Sequence, residues 1–204
     1  MGIFSSSACI TPYFVEGTVQ EPIIETIAMG LKNNSIQEID NEASDKAIGW
    51  ACFNNPFSTD FNHCPFLIGS HFVFSMRVDK KSISAKVVQK HVSLEINKRL
   101  TISGRDFLTK TEKKEIKDQV VNRLNLKILS TPHHYDLIWN HETKTVWFFS
   151  NLKSANEELE TIFSRSFKAK LIRLFPYTMA TLTLPLSSDE KTSFLKITPT
   201  RLME

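Results

Sequence analysis

Glycine is scarce in this chain, with six in 204 residues. None falls into G-x-G-x-x-G or G-x-x-x-x-G-K-[ST], the loops whose backbone amides cradle phosphates. That argues against a P-loop ATPase or a dinucleotide enzyme. Cysteine is scarcer still. Cys9, Cys52 and Cys64 are odd in number and widely spaced, so they set out neither a disulfide framework nor a zinc ribbon. A reducing compartment is the natural expectation. No apolar run approaches the length of a membrane span, and no charged leader with a long apolar core opens the chain. Gly2 and Ser6 do match the Met-Gly-x-x-x-Ser pattern of N-myristoylation, a pattern short enough to arise by chance. The chain reads as cytoplasmic and soluble, with no membrane partner.

Catalytic constellations are lacking as well. Zinc wants four convergent ligands, and the run from His63 and Cys64 to His71 has no recognised ligand spacing. Cys64 reads as a small core residue, and His133-His134 as the start of a strand or turn. A metal nuclease needs carboxylates that converge on Mg²⁺. Asp60, Asp79, Asp106 and Asp136 are the candidates, but none sits in a full nuclease motif. Asp79-Lys80-Lys81 comes nearest and reads as a turn aspartate beside solvated lysines. No nucleophile elbow is present. No catalytic residue, metal ligand or cofactor is assigned.

What the chain does have is concentrated positive charge. Arg77–Lys127 holds 14 Lys/Arg against 6 Asp/Glu, a net of +8, while the whole chain is +3. About a quarter of the sequence carries this charge, and the rest sums to −5. Folded onto one face, such a block is a footprint for a polyanion.

Periodicity gives the framework. Ile3 to Val15 reads as a strand, with Pro12 marking an edge or bulge. Pro22 opens a helix with the stripe Ile23, Ile24, Ile27 and Leu31. Ile48–Phe53 is a short strand, and Phe57–Ser70 a loop anchored by aromatics. His71–Lys80 alternates clearly and is the strongest strand. Helices follow over Ser84–Arg99 and Thr109–Leu124. The second has Thr109 and Glu112 as a capping box, in which each side chain satisfies the other's orphan amide. Ile116, Val120, Val121 and Leu124 form its buried side, and the lysines occupy the other side. Gly104 is the flexible point between the two helices. Tyr135–Trp139 and Thr145–Phe149 make an antiparallel hairpin. Ser154 and Glu157 suggest another capping box, before a helix burying Leu159, Ile162, Phe163 and Phe167. Leu171–Tyr177 and Ala180–Leu186 are further strands, and Pro199 argues against a long terminal helix.

Hairpins and incomplete helix–strand alternation predict an α+β fold. Its sheet is antiparallel or mixed, with packed helices and a protruding basic helical hairpin. Residues 1–80 and 130–204 form the body and 81–129 the hairpin. Phosphate binding needs cations that reach one surface. Lys110, Lys113, Lys114 and Lys117 lead the candidates, supported by Lys80, Lys81, Lys86, Lys90, Lys98 and Arg99. No element reads as a base-reading recognition helix, and aromatics do not interleave with the lysines. Backbone contact is therefore expected over base readout or single-strand stacking.

The segment LTKTEKKEIKDQVVNRL, Leu108–Leu124, resembles the lysine-rich helix of the bacterial recombination-associated RdgC family. Ile48-Gly49-Trp50 is similar to that family's Gly-Trp strand, Phe4 to its early aromatic, and Ala85–Val92 to the preceding helix. Ile138-Trp139 with Val146-Trp147-Phe148 resembles its tryptophan hairpin, Ala155–Phe163 the next helix, and Thr181-Leu182-Thr183 a Leu-Thr-rich strand. The likeness runs through roughly residues 1–185. It implies a non-enzymatic protein that binds double-stranded DNA without sequence specificity. It further implies a ring-shaped homodimer that limits access of RecA, in the cytoplasm at the nucleoid. Family members are longer, so the C-terminal part that helps close the ring is expected to be missing here. A DNA exonuclease is the enzymatic alternative, and a protein-interaction module without DNA contact is the third.

Overall fold

The structure is a computed structural model that describes residues 2–197. In chain order it contains β1 (Thr11–Glu16), α1 (Ile23–Asn33), β2 (Lys46–Ala51), β3 (Leu67–Ile68) and β4 (His71–Lys80). Then come α2 (Ala85–Ser103), α3 (Lys110–Asn125), β5 (Thr131–Asn140), β6 (Thr145–Phe148), α4 (Lys153–Phe167), β7 (Lys170–Arg173), α5 (Pro176–Thr183) and α6 (Ser188–Leu195). The seven strands make one sheet in the order β2-β4-β5-β6-β1-β7, with β3 also on β4. Every pairing between these strands is antiparallel, so the fold is α+β. Pro199 lies outside the described residues. No helix among them is long and apolar enough to cross a membrane.

β4 is the spine, paired along its whole length with β5 from His71↔Asn140 to Lys80↔Thr131. Strand side chains alternate between faces. Phe72, Phe74, Met76 and Val78 therefore share one face with Trp50, Leu137 and Trp139, and all are buried. The helix α4 closes this face with Leu159, Ile162, Phe163 and Phe167, the stripe its spacing predicts. Trp50 meets Phe74 edge-on at 5.0 Å, and Trp139 meets Phe163 the same way at 5.0 Å. The indole of Trp50 donates to Ser166 Oγ at 2.8 Å.

The opposite face of β4 is buried too, although its residues alternate as if for solvent. Ser75 donates to Asp136 at 2.7 Å, and Arg77 grips Asp79 with two bonds of 2.7 and 2.6 Å. The cover is irregular chain: Ser35–Ile36 crosses Gly49, Phe57 lies under the Arg77 guanidinium, and Ile3 N–H donates to Asp136 at 2.9 Å.

Several expectations are corrected. The first strand begins at Thr11, not Ile3. Pro12 lies in an internal strand: its carbonyl accepts from Leu174 at 2.8 Å, so its missing N–H faces β7 just past the end of that ladder. Ile24 faces outward, and only Ile27 and Leu31 of the predicted α1 stripe are fully buried. Ser154 and Glu157 form no box, because α4 starts two residues earlier with Leu152 at its N-cap. Ala180–Leu186 is not a strand. Pro176 starts α5, where a missing N–H costs nothing, and Thr178, Thr181 and Thr183 hydroxyls bond back to nearby carbonyls.

Candidate nucleic-acid interface

The helices α2 and α3 pack on each other through a small core of their own. Ile116, Val120 and Leu124, four apart on α3, join Leu108 and meet Val88, Val92, Ile96 and Leu100 of α2. Val121 is only half-buried, not part of the closed stripe. The predicted capping box forms: Thr109 Oγ1 accepts from Glu112 N–H at 3.3 Å, and the Glu112 carboxylate accepts from Thr109 N–H at 2.8 Å. Those bonds hold the Glu112 carboxyl below its usual range. Gly104 ends α2 with φ 62°, the left-handed turn that suits glycine.

The two sides of this helical pair differ. On one side, Arg99 donates to Gln119 at 2.7 Å and Arg123 meets Glu95 at 3.6 Å. On the other side lies a groove of about 560 Å³. Ile83, Val88, Val92 and Val121 give it apolar walls, and Asp45, Gln89 and Lys117 give it polar ones.

Helical geometry distributes the lysines between these sides. Lys110, Lys113 and Lys114 fall within about 60° of Lys117 around the α3 axis, and of these four Lys117 lines the groove. Glu112, Glu115 and Asp118 occupy the other arc of α3. Lys86 and Lys90 lie one turn apart on α2, about 60° and 100° from Gln89, and neither lines the groove. All six of these lysines are exposed. Lys98 lies about 180° from Gln89, and Arg99 is engaged with Gln119. Lys80 is exposed at the end of β4, opposite Lys46 of β2.

Lys81 does not belong with them. It is 4% exposed, and its ammonium donates to the carbonyls of Asp40 (3.2 Å), Glu42 (2.8 Å) and Asn125 (2.7 Å). Its neighbour Lys80 is in water, and nothing in the sequence separates the two. Asn125 ends α3, so the cation sits where the helix dipole is negative. Nearby, Asp40 accepts from Ser130 N–H at 2.8 Å and its hydroxyl at 2.6 Å, which holds that carboxyl below its usual range.

The carboxylates weighed for metal chemistry stand apart. Asp79 is bound to Arg77, Asp136 to Ser75 and Ile3, and Asp60 to His63, while Asp106 is exposed between α2 and α3. Among the described residues no three His, Cys, Asp or Glu gather to hold a metal ion. The sequence reading missed the groove itself, because Asp45 reaches it from a distant loop. A usable signal was present in Gln89, which stands between Lys86 and Lys90.

No curated protein matches the chain. A family model described as "Putative exonuclease, RdgC" matches residues 11–187. That match takes in the sheet, α1 to α5 and both lysine-bearing helices, and the chain belongs to the RdgC family.

Proposed function

We propose that this protein holds double-stranded DNA by its phosphate backbone, without reading sequence, and so limits recombinase access to the duplex. The observation that carries the reading is that Lys86, Lys90, Lys110, Lys113, Lys114 and Lys117 are all exposed on the paired helices α2 and α3, with Lys117 lining the groove between them. Duplex DNA presents about one charge per 1.7 Å of axis, so clustered cations gain by displacing its counterions. On this reading, residues 81–129 are a basic hairpin protruding from a body of residues 1–80 and 130–204. Lys80 adds charge at the hairpin's base, and Lys98 and Arg99 contribute less.

RdgC membership supports a DNA-associated role. The sequence resemblance supports a cytoplasmic, nucleoid-associated homodimer antagonistic to RecA. Ile102 and Phe107, each 76% exposed around the α2–α3 connection, support an apolar contact between copies. The family's description favours a second reading, an exonuclease. Mg²⁺-dependent nucleotide release that is lost on changing Asp60, Asp79, Asp106 or Asp136 to Asn would establish it.

Duplex titrations followed by fluorescence anisotropy, at about 50 and 200 mM salt, test the main reading. Affinity is expected to fall steeply with salt and to be equal for unrelated sequences. Salt-independent binding, or none, overturns it and leaves the protein-interaction module.

A further inference from the structure

The groove between α2 and α3 has walls that a phosphate backbone does not need. α2 runs from Ala85 to Ser103 without one buried residue, although Val88, Val92, Ile96 and Leu100 make an apolar stripe along it. The core shared with α3 covers that stripe from one side only. On the other side Val88 and Val92 join Ile83 and Val121 in lining about 560 Å³. That space falls within the roughly 300–1,000 Å³ of sites that enclose a ligand. Half-covered apolar walls between two helices are what an amphipathic helix closes when it lies in a groove.

Charge is graded along this groove. Val121, Lys117, Lys114 and Lys110 fall within about 60° of one another around the α3 axis. One stripe of α3 therefore passes from apolar to cationic toward the start of the helix. Lys114 stands about 10 Å, or two turns, from Val121 along it. All three lysines are exposed, and none meets a carboxylate among the described residues. The end near β4 is different. Asp45 is the one acid in the lining, and the Lys81 ammonium there is taken up by three carbonyls. The α2 wall carries no charge, only Gln89 among apolar residues.

We infer that this groove docks an acidic amphipathic helix of another protein, its apolar face on Val88, Val92 and Val121 and its carboxylates on Lys117, Lys114 and Lys110. Asp45 repels acids from the β4 end, so the charge gradient also sets the direction of docking. The partner's apolar anchors sit near β4, and its acids sit about two turns further out. This chain does not supply such a helix. The apolar face of α4, which carries Glu157, Glu158 and Glu160, is already buried on the sheet. In α6, Asp189 and Glu190 are offset by Lys191 and, just past its end, Lys196. The inference goes beyond the DNA reading and shares lysines with it, so peptide and duplex are expected to compete.

The test titrates the full chain into a fluorescein-labelled helical peptide of about 15 residues, long enough to hold a helix. The peptide has leucines a turn apart on one face and glutamates two turns beyond them. One control scrambles its sequence so that no stripe forms, and another changes the glutamates to glutamine. Anisotropy is expected to show binding of the first peptide alone. Val121→Gln should weaken that binding about tenfold and leave duplex binding unchanged, which separates the groove from the DNA reading. Should Val121→Gln lower the thermal midpoint, Gln89→Glu, at an exposed position in the lining, decides by the same loss of peptide. No binding of the striped peptide overturns the inference. So does equal binding of the scrambled peptide, or binding unchanged in Gln89→Glu. Light scattering that shows a dimer dissociated by Gln89→Glu also overturns it, since a second copy would then fill the groove. Peptide binding by a chain that ignores duplex DNA supports the inference and ends the DNA reading.

Discussion

The ammonium of Lys81 lies 2.7 Å from the carbonyl of Asn125, the last residue of α3. The same ammonium binds Asp40 O and Glu42 O, and Asn125 Nδ2 donates to Ala43 O at 3.0 Å. One lysine thus ties the end of α3 to the loop before β2. Lys81→Met keeps the length of the side chain but leaves three carbonyls without that donor. A loss of about 2 kcal/mol in urea unfolding is expected, from the cost of buried groups left unpaired. Lys80→Gln, one residue away and in solvent, should leave stability within about 0.5 kcal/mol. Equal effects at the two positions would remove the distinction drawn between them.

Gly49 carries the second prediction. A Cβ there would lie 2.2 Å from Ile36 N and 2.6 Å from Ser35 C, both backbone atoms. The chain crosses β2 at that distance because Trp50 N–H donates to Asn34 O at 2.8 Å, and Ile36 N–H donates to Trp50 O at 3.0 Å. Gly49→Ala must push the crossing segment away or break those bonds. A loss of about 3 kcal/mol, or failure to fold, is expected by circular dichroism and denaturant titration. The same substitution at Gly69, where nothing lies within 4 Å, lacks this clash.

How far the sequence could be read depended on whether a residue's role was local. The α3 capping box, the Leu159–Phe167 stripe and the alternation of His71–Lys80 depend on neighbours within a turn or a strand, and they were legible. The second buried face of β4 was not. Arg77 and Asp79 alternate like solvent residues, and the chain that covers them comes from Ile36, Phe57 and Ile3. Lys81 was misread for the same reason, since its partners lie 39 to 44 residues away. Thr181 and Thr183 looked like a strand because alternating Thr and Leu fits one. Pro176, which gives a ready-made first helical turn, decided otherwise.

Tyr13 makes a pH prediction. Its hydroxyl donates to Asn156 Oδ1 at 2.6 Å, and burial pushes its pKa from 10.0 up to about 12. The folded protein thus holds the proton more tightly than the unfolded chain does. The stability this confers is fully present below pH 10.0 and is lost as pH rises toward about 12. Tyr13→Phe removes the titration along with the bond. The variant should be less stable near neutrality by about 1 kcal/mol. It should also show a shallower alkaline decline, measured by urea unfolding at stepped pH. A decline unchanged by the substitution would place its cause elsewhere.

The lysines give the prediction on which the functional reading turns. If α3 holds phosphate, Lys113, Lys114 and Lys117 each release counterions separately. Changing all three to Gln should weaken every duplex alike and flatten the salt slope by about 0.9 for each lysine replaced. The substitutions fall on exposed side chains, so the helix should keep its thermal midpoint. Lys98→Gln removes the same charge from α2 and should weaken binding less. That contrast separates a built surface from bulk attraction, which depends on net charge and not on where the charge sits. A Lys98→Gln variant that loses as much affinity per charge as the α3 triple would mean that the duplex feels only the total charge.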